Sequence, residues 1–258
     1  MSSLAADKPG APGHHEHAHA PAHHHHHPSL QHQFDTLEQQ KESSTLGMWL
    51  FLVTEVMFFG GLFLAYVVYR RAYPEAFLLA SNTLNVLLGG INTAVLIGSS
   101  LTMALSIWAA QVNWRKGIVL FLILTIVLGG IFLVNKTFEY ADKFEHHHVP
   151  GPNYHFAVEH AGAHGGSGHL EELAARDPQL ERHTQIFFSL YFIMTGLHAT
   201  HMIIGMIILG VLAVYAWKGK YDAAYHNPLE MTGLYWHFVD LVWIFLFPLL
   251  YLLGAHAA

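Results

Sequence analysis

A few ionisable side chains stand inside runs of apolar residues, and each needs a chemical reason to be there. Glu55 lies in TLGMWLFLVTEVMFFGGLFLAYVVYRR, Thr45 to Arg71, among aliphatic and aromatic neighbours. A carboxylate at hydrocarbon depth costs roughly 2.5 kcal/mol or more and is tolerated where it faces protein, water or a partner. Two chemistries are open to it: a protonated carboxyl hydrogen-bonded between helices, or a group that handles protons. His198 and His201, in TGLHATHMIIG, are three apart and share a helical face. They suit a hydrogen-bonded polar cluster, with Glu55 as the partner brought from another helix. His237 and Asp240 have the same spacing, with Trp236 and Trp243 around them. Lys136 and Glu139, in VNKTFEY, suit an ion pair at the membrane interface.

Histidine is abundant, at 23 residues, and cysteine is absent. The absence of thiols rules out disulfides, iron–sulfur ligation, c-type haem attachment and thiolate copper in this chain. The weak metal-ligand candidates are His23, His24, His25, His26 and His27 in the tail and His146, His147 and His148 in a later loop. None has the strict spacing of a zinc site. The histidines within apolar runs are few and lie in short pairs among aliphatics, so no ligand set for haem iron or a copper pair is present. A metal-ion transporter, the reading that the histidine tracts invite, needs ligands converging at mid-depth on broken helices. Only Glu55, His198, His201, His237 and Asp240 offer themselves, without repeat symmetry.

The elements that must position these residues follow from hydropathy. The 258 residues are 53% hydrophobic and 12% charged, about half the ~25% charge of an ordinary soluble domain. Apolar runs of about 20 residues match a hydrocarbon core of about 30 Å, and the alternation of a membrane barrel is missing. The sequence therefore predicts an all-α polytopic membrane protein, a bundle of about five transmembrane helices, at about Thr45–Tyr69, Thr83–Gln111, Ile118–Tyr140, Ile186–Trp217 and Met231–Gly254. Residues 1–44 form a histidine-rich tail, disordered through about Leu30, whose last part, 31–44, is a short interfacial helix or more tail. Residues 45–258 form the membrane domain, with a histidine-rich loop at 141–185. The segment RAYPEAFLLASN reads as a short loop, LEELAARDPQLERH as a short surface helix, and Pro248 should bend or locally unwind the last helix near its end. Small and hydroxyl residues in the second helix, Gly89 to Thr102, predict close helix packing. Near-membrane cations are almost balanced between the two sides. The formal net charge of −6 counts histidine as neutral and discriminates nothing.

Several strings carry a family likeness: WLFLVTEVMFFGGLFLAY (Trp49 to Tyr66), SSLT (Ser99 to Thr102), FEY (Phe138 to Tyr140), TGLHATHMIIG (Thr195 to Gly205) and LYWHFVDLVWIFLF (Leu234 to Phe247). Together they resemble cytochrome c oxidase subunit III, of the haem-copper terminal oxidases, over about Thr45 to Gly254. The chain resembles the five-helix bacterial form rather than the seven-helix form.

The resemblance implies an accessory core subunit of a proton-pumping oxidase of aerobic respiration, catalytic residues and metals being none in this chain. Haem and copper would sit in partner subunits. Oxidase subunits I and II, bound phospholipid and a larger respiratory supercomplex are the implied partners; no nucleic acid is expected. The subunit would stabilise subunit I, support proton uptake and protect the oxygen-reducing site, in the bacterial inner membrane with a cytoplasmic N-terminus and periplasmic C-terminus. By motif match, Glu55 takes the place of the family's carbodiimide-reactive intramembrane glutamate, and Glu230 that of the acidic residue ahead of YWHFVD. His198 and His201 take the place of paired histidines near bound phospholipid. With His237, Asp240 and Trp236 they complete the polar and lipid-binding candidates. Subunit III of a quinol oxidase, or the relative associated with nitric oxide reductases, is the alternative. The intact TEVMFF string favours the cytochrome c branch.

Overall fold

A computed structural model describes residues 31–145, 149–151, 154, 179–221, 223 and 225–252. The tail with His23 to His27, the loop histidines 146–148, 155, 160, 164 and 169, and residues 170–178 of the expected surface helix over 170–183 lie outside the described residues; its last four residues, Leu180 to His183, are instead the first turn of the long helix Leu180–Trp217. The elements are α1 (Leu37–Ala72), α2 (Pro74–Asn82), α3 (Val86–Gln111), α4 (Arg115–Glu145), α5 (Leu180–Trp217) and α6 (Asn227–Phe247), followed by a π-helical turn over Pro248–Leu252. Among the described residues there is no strand. Among those residues five helices are long and apolar enough to cross a bilayer, and the chain is a multi-pass all-α membrane protein.

Where the boundaries differ from the sequence reading, local chemistry explains the difference. Thr36 caps α1: its hydroxyl accepts from the Gln39 amide at 3.1 Å, while the Gln39 side chain accepts from the Asp35 amide at 2.9 Å. This side-chain capping starts the helix at Leu37, so Leu37–Ser44 is the opening of α1 and not a separate interfacial helix. At about 1.5 Å per residue the 36 residues of α1 extend well past the hydrocarbon core. The expected loop around Pro74 is instead α2. Pro74 occupies its first turn, where the missing N–H costs nothing, and Ala76, Phe77, Leu79, Ala80 and Ser81 are buried. Lys143, expected in the polar connection, lies inside α4, with its side chain buried and its ammonium on the Thr83 carbonyl at 2.9 Å.

The small residues of α3 allow it to pack most extensively against α4, and α6 closes on α3 and α5. Hydroxyl and amide pairs fix the register: Thr102 with Thr125 at 2.7 Å, and Asn135 donating to Asn92 at 2.8 Å. Trp236 of α6 sits at the centre. An added Cβ at Gly129 of α4 would come within 3.0 Å of its ring, and one at Gly205 of α5 within 2.9 Å. Its indole N–H donates to the Ser99 hydroxyl of α3 at 2.7 Å. One side chain therefore joins four helices. By contrast α1 leans on α5 and α6 and leaves Leu46, Leu50, Met57 and Leu64 exposed.

At the end of α6, Pro248 lacks an amide proton, and the chain continues as the π-helical turn. There the Leu249 carbonyl accepts from the Tyr66 hydroxyl of α1 at 2.6 Å. Tyr66→Phe leaves that acceptor without its partner, and a loss of about 1 to 3 kcal/mol is expected. Thermal unfolding in detergent, with hydrogen exchange along α1, measures it; an unchanged midpoint would mean that the bond contributes nothing net.

Candidate functional site

The polar residues picked out by the sequence separate into distinct places. Glu55 of α1 and His201 of α5 are brought together, with Glu55 Oε2 3.2 Å from His201 Nε2. The His201 ring is oriented by its own helix, because Nδ1 bonds the Leu197 carbonyl at 2.8 Å. A carbonyl only accepts, so Nδ1 carries the proton in every protonation state that keeps this bond. Nε2 then bears a proton only in the imidazolium. An attractive contact with Glu55 requires one proton in the pair, either on Nε2 opposite a carboxylate or on the carboxyl opposite a neutral ring. Oε2 has no aligned hydrogen-bond donor among the described residues, so the contact is a close polar approach rather than an aligned hydrogen bond.

Both side chains are only partly covered, at 18% and 16% exposure for Glu55 and His201. They border a crevice of about 360 Å³ whose other walls include Met48, Phe51, Ile204 and Tyr235. Phe59 packs edge-on against the His201 ring, and the Tyr235 hydroxyl donates to the His201 carbonyl at 3.1 Å. The pair is thus held by α1, α5 and α6 beside a crevice at the surface of the bundle.

His198, one helical turn away, points elsewhere. It is buried with neither ring nitrogen hydrogen-bonded among the described residues, between Phe132 and Trp243. Of the two histidines only His201 shares a patch with Glu55. Trp236 is fully buried and has no surface from which to touch a lipid in this structure. His237 Nδ1 lies 2.6 Å from the Ser100 hydroxyl. Asp240 is buried nearby, its two carboxyl oxygens without a hydrogen bond among the described residues. Glu230 stands at the start of α6, 3.0 Å from Lys41 of α1 and 3.1 Å from His226. That partly exposed contact ties two helix ends, at a net worth of about 0 to 1 kcal/mol.

One cluster escaped the sequence reading. Lys136 and Glu139 do form the expected ion pair, but it is enclosed within the bundle, with side chains 4% and 5% exposed. The ammonium donates to Glu139 Oε2 at 3.1 Å, to the Tyr191 hydroxyl at 3.1 Å and to the Tyr251 hydroxyl at 2.8 Å. Both phenols in turn donate to Glu139 Oε1, Tyr191 at 2.7 Å. All three ammonium protons find acceptors, and the rings of Tyr191 and Trp243 lie 5.0 and 5.1 Å from the ammonium. The three-residue spacing signalled the pair. The phenols, on α5 and the π-helical turn, are remote in sequence.

Among the described residues no three His, Asp or Glu side chains gather at a point that would hold a metal ion.

Comparison with known proteins accords with this geometry. Residues 180–255, covering α5, α6 and the π-helical turn, match the family described as Cytochrome c oxidase subunit III. A cytochrome c oxidase subunit 3 from Synechocystis sp. (strain ATCC 27184 / PCC 6803 / Kazusa) is 34% identical over 208 residues, which is 80% of this chain and 74% of that protein. The chain belongs to the oxidase subunit III family. A cytochrome c oxidase subunit 3 from Thermostichus vulcanus is 29% identical, over 85% of this chain and 92% of its own length. A quinol oxidase subunit 3 from Bacillus spizizenii is 29% identical over 84% and 92%. The family is thus one of oxygen-reducing terminal oxidase complexes, and the likeness extends to both kinds. The Glu55–His201 pair spans the first and fourth membrane helices of this subunit.

Proposed function

We propose that the chain is the accessory, non-catalytic third subunit of a proton-pumping cytochrome c oxidase in the bacterial inner membrane, its N-terminus cytoplasmic and its C-terminus periplasmic. It packs against subunit I, assembles with subunit II, and leaves haem and copper chemistry to them. A phospholipid occupies the crevice beside Glu55 and His201, and the pair supports proton uptake by the neighbouring subunit. The single observation that carries this reading is the Glu55–His201 contact at 3.2 Å at the edge of an apolar surface crevice. A pair that needs one proton for attraction, and lies where lipid and partner can reach it, suits exchange of that proton more than static packing. Membership of a larger respiratory assembly belongs to the same reading.

The quinol oxidase relative favours a second reading in which the same subunit serves a quinol oxidase. Co-purification of a copper-binding subunit II supports cytochrome c as electron donor; recovery of the oxidase without one supports quinol.

Glu55→Gln tests the role of the pair. The variant is isosteric, so assembly is expected at wild-type yield, with altered pumping stoichiometry or a shortened turnover lifetime of the reconstituted oxidase. Wild-type values of both would reduce Glu55 to a packing residue.

A further inference from the structure

A second crevice lies away from Glu55, between α4 and α5 at the end where α4 begins. It measures about 580 Å³, with Arg115 and Lys116 at its rim, Val119, Leu120 and Ile123 along its length, and Trp217 at its mouth. Trp217 is 82% exposed and Trp114 is also exposed. Amphipathic indoles settle at the headgroup level of a bilayer, so the rim is at the interface and the apolar length runs into the hydrocarbon. Among the described residues neither Arg115 nor Lys116 has an acidic partner. Lys218 and Lys220 follow Trp217 directly, and the next acidic residue in the chain is Asp222. Lys220 is drawn over the Tyr215 ring, 4.4 Å from its centroid.

Arg115 is also positioned. Its guanidinium rests on Gly219, where a Cβ would fall 0.9 Å from Nη2. Gly219 has φ +72°, a left-handed conformation that ends α5 and that glycine adopts freely. The turn therefore both stops the helix and opens the space in which the cation lies.

We propose that this crevice binds one anionic phospholipid, its phosphate between Arg115 and Lys116 and an acyl chain along Val119, Leu120 and Ile123. The pairing of two cations that have no acidic partner among the described residues with an apolar trough matches a lipid that is anionic at one end and aliphatic at the other. A soluble anion would leave the trough empty, and a zwitterionic lipid would bring its own cation to the rim. Each interfacial Lys or Arg favours anionic lipid by about fivefold, hence about 25-fold for the pair at low salt, and screening should shrink that preference.

The test uses the full chain, purified from its own membrane in mild detergent with the subunits that accompany it. Samples are equilibrated in nanodiscs of equal phosphatidylglycerol and phosphatidylcholine, and retained lipid is counted by native mass spectrometry. The wild type should retain one more phosphatidylglycerol than the Arg115→Gln/Lys116→Gln variant, whose preference at this site falls to within about twofold of none. Ile123→Trp keeps both charges and fills the trough, and should lose the same lipid. Both variants are compared in complexes eluting at the wild-type position. Unchanged phosphatidylglycerol in the double variant overturns the proposal, as does full retention by Ile123→Trp, which would mean charge attraction without a seat. Loss of a protein subunit with lipid unchanged overturns it too, and makes the crevice a protein contact.

Discussion

Replacing Lys136 with methionine should destabilise the bundle by about 3 to 5 kcal/mol, the expected cost of breaking a buried ion pair from one side. The ammonium bonds Glu139 and two phenols, and none of the four groups has bulk water to replace a lost partner. With the cation gone, Glu139 keeps only the Tyr191 and Tyr251 donors. A buried carboxylate without its counter-charge must take a proton or distort its surroundings. Removing both charges is a different matter. Lys136→Met with Glu139→Met replaces a desolvated pair by aliphatic volume, which is often neutral or stabilising, so the double variant should recover most of the single variant's loss. Thermal and denaturant unfolding in detergent, arranged as a double-mutant cycle, measures the coupling. Additive losses would show that the two residues act separately.

Trp236→Ala should cost about 3 to 5 kcal/mol, in the range for deleting a large buried aromatic. Between helices in a membrane, attraction comes from close van der Waals packing rather than from expulsion of water, and the indole supplies that packing to α3, α4 and α5 together. Its removal empties the space between Gly129 and Gly205 and strands the Ser99 hydroxyl. Trp236→Phe keeps part of the volume and loses the hydrogen bond, so it should fall between Ala and wild type. Unfolding midpoints of the three proteins in one detergent check the order. A phenylalanine variant as unstable as the alanine one would assign the effect to the hydrogen bond instead of the packing. Gly205→Val attacks the same contact from the other side, since a Cβ there meets the indole at 2.9 Å.

The five membrane helices were legible because hydropathy is a property of consecutive residues. Pro248 was legible for a similar reason, since loss of one amide proton is local, and the chain does leave the α-helical pattern at that residue. The ends of the helices were harder to read. The Thr36–Gln39 cap is a sequence signature of a helix start, yet it lies in polar sequence that hydropathy passes over. The α2 segment was obscured by Pro74, which reads as a breaker unless its place in a first turn is known. Its apolar residues are too few to span a membrane and become intelligible once they are seen buried against α5 and the π-helical turn.

By itself the sequence determined which stretches cross the bilayer, which charged residues travel with them, and the family to which the whole belongs. Only the tertiary structure decided which of those residues meet. His198 and His201 share a helix and nearly a face, yet one is enclosed by Phe132 and Trp243 while the other turns to Glu55. Lys136 and Glu139 looked interfacial from their position in α4, and became a sealed network because Tyr191 and Tyr251, 55 and 115 residues further along, arrive from α5 and the π-helical turn. The physical reason is rotation. Hydropathy fixes how deep a helix runs, whereas the turn of each helix about its own axis is set by packing against partners distant in the chain, and that rotation decides whether a charge faces lipid, a partner side chain or the core.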